Sequence, residues 1–168
     1  MATATRDKTR TFPTKNDLAQ DVRTKTIALL NQQLADTLDL YSQTKQAHWN
    51  VKGSDFYQLH LLFDAHAAHV VEWIDQLAER AVMLGGYATG TARMAAANSA
   101  LPEYPTEISA GMDHVRALVD RWGTYAASTR EGIDTTDEWG DADTADLLTE
   151  ISRQVDMDLW FLEAHLQD

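Results

Sequence analysis

Between Phe56 and Leu84 apolar residues return every three or four positions, at Phe56, Leu59, Phe63, Ala67, Val70, Ile74, Leu77, Ala81 and Leu84. That spacing belongs to a long helix with one buried face and excludes a strand, which would need alternation. Ser54 or Asp55 is placed to cap its start and Gly85-Gly86 to end it. One long helix with a single apolar face requires other long helices to cover it.

The rest of the chain supplies them. Ile27, Leu30, Leu34, Leu38 and Tyr41 keep helical spacing, so a first helix is expected from Asp17 to about Trp49, with Lys45 and His48 continuing its inward stripe. A third is expected from Thr106, carrying Ile108, Met112, Val115, Val119, Trp122 and Ala126, to near Gly132. A fourth runs from Asp143, as N-cap, through Leu148, Ile151, Val155, Leu159, Leu162 and Leu166 to the chain end. The connection of about 20 residues before Pro105 is long for a compact bundle. It holds a small-residue segment, 91–98, suited to a short helix. No strand pattern or repeat appears. The expected fold is all-α: a ferritin-like four-helix bundle over 17–168 whose long crossover contains a short helix.

The polar residues beside the 56–84 stripe carry the chemistry. His60 and Asp64 stand four apart, as do Asp75 and Glu79, and all four fall within roughly a 100° arc of the helix surface. One chain cannot bring both pairs to one ion, because Asp64 and Asp75 are roughly 16 Å apart along the axis at about 1.5 Å per residue. An identical helix packed antiparallel about a two-fold axis near His69 and Val70 resolves this. Residue i then faces residue 139 − i, so His60 meets Glu79 and Asp64 meets Asp75, twice per dimer. His48 approaches His60 across the helical hairpin. Any one of these residues is as readily a solvated charge; the matched spacing of the set points to metal ligation. Imidazole with carboxylate suits Fe2+, Mn2+ or Zn2+. No glutamate stands three residues before any of the six histidines, which argues against a di-iron site inside a single bundle. His66, His69, His114 and His165 have no place in this pattern, although His69 lies near the inferred axis.

With 168 residues and 44% hydrophobic content the chain is long enough for one well-formed core. It has no cysteine, which excludes disulfide frameworks, thiolate zinc sites and cysteine nucleophiles. No apolar run approaches the ~18 residues of a membrane span, so no membrane partner is expected. With no signal-type apolar core near the N-terminus either, a cytoplasmic protein is expected. Charge is unevenly spread. Arg6, Lys8, Arg10 and Lys15 against Asp7 make the first 15 residues net +3 in a chain of net charge −12, whereas 131–150 holds eight acids and no base. Residues 1–16 therefore read as a flexible basic arm, either a salt-dependent tether for DNA or a frayed terminus.

The run from Lys45 to Gly53 (KQAHWNVKG), then Phe56, Leu59-His60, Phe63-Asp64, the segment 75–80 (DQLAER) and Leu84-Gly85-Gly86, resembles the Dps family, the DNA-binding proteins from starved cells or mini-ferritins. The likeness extends over all four helices, including 143–146 and Leu159-Trp160-Phe161. It implies a homo-oligomeric hollow shell of twelve subunits with ferroxidase sites at two-fold interfaces and ferric mineral inside. Its iron ligands carry over onto His48, His60 and Asp64 of one subunit with Asp75 and Glu79 of its mate. Zinc or manganese suits the same donors. The resemblance also implies that hydrogen peroxide, rather than dioxygen, oxidises Fe(II). Trp49 is then either an electron donor beside His48 or a packed aromatic. Asp137, Asp141, Asp143 and Asp146 either line a three-fold ion-entry pore by similarity or act as a solvated corner, with Asp143 a cap. The competing reading of function is a non-catalytic nucleoid protein that coats DNA through the arm, although no basic tail follows His165.

Overall fold

The computed structural model describes residues 10–167. Its elements are α1 (Gln20–Asn50), α2 (Phe56–Met83), a short α3 (Ala92–Asn98), α4 (Gly111–Glu138) and α5 (Ala142–Glu163). The fold is the expected four-helix bundle with a helix in its crossover. α1 packs on α2 and α4 on α5 as two hairpins, α1 also meets α4 and α2 meets α5, and α3 lies against α1. Leu30, Leu34, Leu59, Phe63, Leu77, Leu118, Trp122, Tyr125 and Leu148 are fully buried between them.

Glycine caps end α2 before the crossover and α4 before the turn into α5. After α2, Gly85 adopts φ +85°, its N–H reaches the Val82 carbonyl at 2.9 Å, and the Gly86 N–H reaches Ala81 at 2.9 Å. That left-handed cap is open to glycine at little cost. α4 ends the same way: Gly140 lies at φ +80°, with bonds from Gly140 to Asp137 and from Asp141 to Thr136. The next residue, Asp141, caps α5, its side chain accepting from the Thr144 N–H at 3.1 Å.

Several expected boundaries move. α4 begins at Gly111, not Thr106, because the chain before it runs alongside the α1–α2 turn, where the Lys52 N–H bonds Ser109 at 3.0 Å and Lys52 bridges Ala110. It then passes through Gly132. That glycine is buried in a helix crossing, where an added Cβ would lie 2.9 Å from Leu148, and it stops nothing. The cap of α5 is Asp141 rather than Asp143, and the helix ends at Glu163, short of the chain terminus. Within the expected arm, Arg6 and Lys8 lie outside the described residues. The described part is not loose: the Phe12 N–H bonds the Gly85 carbonyl at 2.7 Å, and the Arg10 guanidinium stacks 4.8 Å from the Phe12 ring and 5.8 Å from Tyr87.

Candidate metal centre

The last turn of α1 and the first of α2 meet around two imidazoles. The rings of His48 and His60 stack with centroids 3.7 Å apart, and each Nδ1 lies 2.8 Å from the other residue's backbone carbonyl oxygen. A carbonyl can only accept, so both Nδ1 atoms carry the proton. Each Nε2 is therefore the ring atom left to offer a lone pair, with Nδ1 held by a backbone carbonyl in the way that orients metal-bound histidines. His48 Nε2 is 3.9 Å from Asp64 Oδ1. The chain thus brings His48 against both His60 and Asp64, an incomplete donor set on one flank of the hairpin.

Lys45, one turn before His48, supplies the charge balance. Its Nζ lies 2.5 Å from Asp64 Oδ1 and 6.0 Å from the Trp49 ring. This ammonium bond, first among the causes, holds the Asp64 carboxyl below its usual pKa, against a small opposing effect of burial. Lys45 was visible in the sequence as part of the inward stripe, but its spacing alone gave no sign that it would reach Asp64 across the hairpin.

Asp75 and Glu79 are exposed on the far half of α2 and do not join the histidines. Among the described residues no three such side chains within the chain are close enough to hold an ion. The α2 face that bears all four spaced ligands also exposes Tyr57 (69%), Leu61 (49%), Val71 (48%), Val82 (54%) and Met83 (58%). This outward apolar stripe is separate from the buried one.

Other expected residues have different surroundings. Trp49 is 65% exposed beside His48. Asp137, Asp143 and Asp146 are exposed at the α4–α5 corner. Asp141 differs from the expected free pore residue: it is buried, accepts from the Thr144 N–H and hydroxyl, and pairs with Arg80 at 2.6 Å. Its charge is committed to capping α5 and anchoring α2. Lys15 is exposed.

A second histidine cluster sits between α2 and α5. Asp158, 1% exposed, lies 2.9 Å from His69 Nδ1 and accepts from Gln154 at 3.0 Å, while His66 Nε2 is 3.6 Å away without a hydrogen bond. The signal for it was the pair of histidines spaced three apart on α2, but its carboxylate comes from 89 residues away.

The sequence model of the ferritin-like domain matches residues 27–168. A curated relative, the DNA protection during starvation protein of Agrobacterium fabrum, is 44% identical over 159 residues, covering 95% of this chain and 98% of that protein. The chain belongs to the Dps family. Among solved structures, DpsC from Streptomyces coelicolor superposes with a TM-score of 0.88 at 35% identity, covering 95% of this chain and 92% of that one. A Vibrio cholerae O1 Dps protein, described as a member of a broad superfamily of ferritin-like diiron-carboxylate proteins, superposes at 0.84 with 26% identity, covering 89% and 94%. Among the described residues of this Dps-family chain no helix is long and apolar enough to cross a membrane.

Proposed function

We propose that this Dps-family protein oxidises Fe(II) with hydrogen peroxide at two-fold interfaces, stores the ferric product inside a homo-oligomeric shell of twelve subunits, and so protects DNA in the cytoplasm. The observation that carries the reading is the reciprocal pair of Nδ1–carbonyl bonds, which leaves the Nε2 atoms of His48 and His60 free to bind, that of His48 3.9 Å from Asp64. Those donors and their charge suit Fe2+ as substrate, with Zn2+ or Mn2+ as competitors.

The two-fold relation that pairs His60 with Glu79 and Asp64 with Asp75 of a mate also pairs Tyr57 with Val82, Phe56 with Met83 and Ala68 with Val71. Each exposed apolar member of these pairs thereby meets an apolar partner, as a self-complementary interface requires. In such a dimer Asp75 and Glu79 complete each centre and neutralise the ion, the imidazoles fix its position, and Lys45 yields Asp64 to the incoming cation. Two Fe(II) ions give two electrons to one peroxide, which leaves as water. Asp137, Asp143 and Asp146 concentrate cations near an entry pore, with Asp141 holding the corner rather than lining it.

The test is anaerobic Fe(II) loading followed by peroxide or air, with ferric absorbance and particle size read together. Fast peroxide-driven oxidation with iron co-eluting in a large shell is expected. Oxidation no faster than in buffer would remove the proposal. In the competing reading the arm coats DNA. Deleting residues 2–15 is then expected to abolish gel retardation at low salt and leave iron oxidation unchanged.

A further inference from the structure

Beside the candidate centre, the crossover and α4 form an aromatic pair that metal binding does not use. The Tyr104 hydroxyl lies 2.6 Å from His114 Nδ1, with the two rings 14° from parallel. His114 is 1% exposed, and burial lowers its pKa, keeping it neutral. His114 Nε2 is buried and has no hydrogen-bond partner among the described residues. In the tautomer that carries its proton on Nε2, Nδ1 is bare and within reach to accept the phenolic proton. Tyr104 is held from below by Arg121, whose guanidinium is 5.7 Å from its ring and bonds Gln43 and the carbonyls of Ala117 and Glu103.

Two details make this more than a packing contact. The cationic Arg121 opposes positive charge on the ring, so an electron can leave Tyr104 readily only if the proton leaves with it, and His114 is in place to take it. Tyr104 also lines a cavity of about 570 Å³ whose wall includes Trp49, the neighbour of His48. Tyr125, by contrast, is fully buried and its hydroxyl meets Thr37, which is no proton acceptor of comparable basicity.

We propose that Tyr104, with His114 as proton acceptor, is a one-electron donor to the His48–His60 centre by way of Trp49. The inference rests on the iron-oxidation reading. When a centre holds a single Fe(II), peroxide takes one electron from iron, giving Fe(III), hydroxide and a hydroxyl radical. The second electron comes from Tyr104 through Trp49 and reduces that radical to hydroxide. The phenolic O–H bond breaks, its proton bonds to His114 Nδ1, and a neutral tyrosyl radical remains beside an imidazolium. One Fe(II), one peroxide, one tyrosine and one histidine thus yield one Fe(III), two hydroxides, the tyrosyl radical and protonated histidine.

The test has two arms on the full-length protein. In the first, Fe(II) is loaded anaerobically at one ion per centre, peroxide is added, and freeze-quenched samples are read by electron paramagnetic resonance. In the second, iron is omitted and photoexcited ruthenium tris-bipyridine with persulfate is the oxidant, with tyrosyl absorbance followed after the flash. The expected result is a tyrosyl signal lost in Tyr104→Phe and reduced in Trp49→Phe in the iron arm, and reduced in Tyr104→Phe in the photochemical arm, where exposed Tyr57 and Tyr87 also react. In His114→Gln the signal should form at least about a hundredfold more slowly, with its solvent deuterium effect changed. A signal unaffected by Tyr104→Phe, or His114→Gln kinetics equal to wild type, would assign the pair a packing role only and overturn the inference. If the photochemical arm shows the Tyr104 radical while iron is not oxidised, the pair stands and the iron-oxidation reading fails. Iron oxidation with no Tyr104 radical in either arm does the reverse.

Discussion

Helix α2 carries two histidine–carboxylate clusters a few residues apart, and they face opposite ways. Around His48, His60 and Asp64 the imidazole Nδ1 atoms are spent on backbone carbonyls and the Nε2 atoms are left to bind. Around His66, His69 and Asp158 the carboxylate is buried and already satisfied by His69 and Gln154. The residue types are the same. What separates a binding site from a strut is whether the lone pairs are left free or spent on partners, and whether burial disfavours the charge. Asp64 is held below the usual carboxylate range by Lys45, whereas burial raises the pKa of Asp158 despite its bond to His69. Burial likewise pushes His66 down to about 3, with the charge on His69 adding to it.

The sharpest way to break the comparison is to exchange losses. Asp75→Asn with Glu79→Gln should cut peroxide-driven iron oxidation by about a hundredfold or more while thermal unfolding stays put. Stopped-flow absorbance and calorimetry on one sample check this, and unchanged kinetics would take the outer cluster out of the chemistry. Asp158→Ala should do the opposite: lose about 1–3 kcal/mol of stability through the deleted charge-assisted bonds, with the initial oxidation rate per folded centre preserved. Denaturant titration reads the first and stopped flow the second.

The inner cluster should also leave a mark on pH. His66 takes a proton in the unfolded chain near pH 6.5 but resists it when folded. Its contribution is therefore complete above that pH and lost as pH falls, with a slope approaching about 1.4 kcal/mol per pH unit for one proton. Asp158, its native pKa raised by burial, works in the reverse sense, costing stability once ionised. His66→Phe should flatten the acid limb of the stability curve, measured by denaturant unfolding between pH 7 and 4. A limb as steep as wild type would mean that His66 stays protonated inside the fold. The smallest effect belongs to Lys45→Met. Removing the ammonium that occupies Asp64 should tighten Fe(II) binding by a few-fold, read by anaerobic calorimetry.

Much of the architecture was legible because it depends on periodicity. The stripes of α1, α2, α4 and α5 dictated four amphipathic helices, and Gly85-Gly86 ended α2 where the sequence said it would. Local signals misled where long-range contacts overrode them. Gly132 read as a stop and is a packing glycine under Leu148, Asp143 read as the cap that Asp141 provides, and residues 106–110 read as helix but are non-helical, with Ser109 and Ala110 held beside Lys52. The expected free arm ran through residues 10–16, yet Phe12 is tied to Gly85.

The sequence by itself determined the helix count and the long crossover, and placed His60, Asp64, Asp75 and Glu79 on one face of a single helix, since these follow from spacing along the chain. Only the tertiary structure decided that His48 and His60 lock each other's tautomers, that Lys45 reaches Asp64, that Asp141 is consumed by Arg80 and Thr144, and that Tyr104 meets His114. Each of these joins residues on different elements, or on the two sides of a turn. Their hydrogen bonds depend on side-chain direction and burial, which a periodic pattern cannot encode.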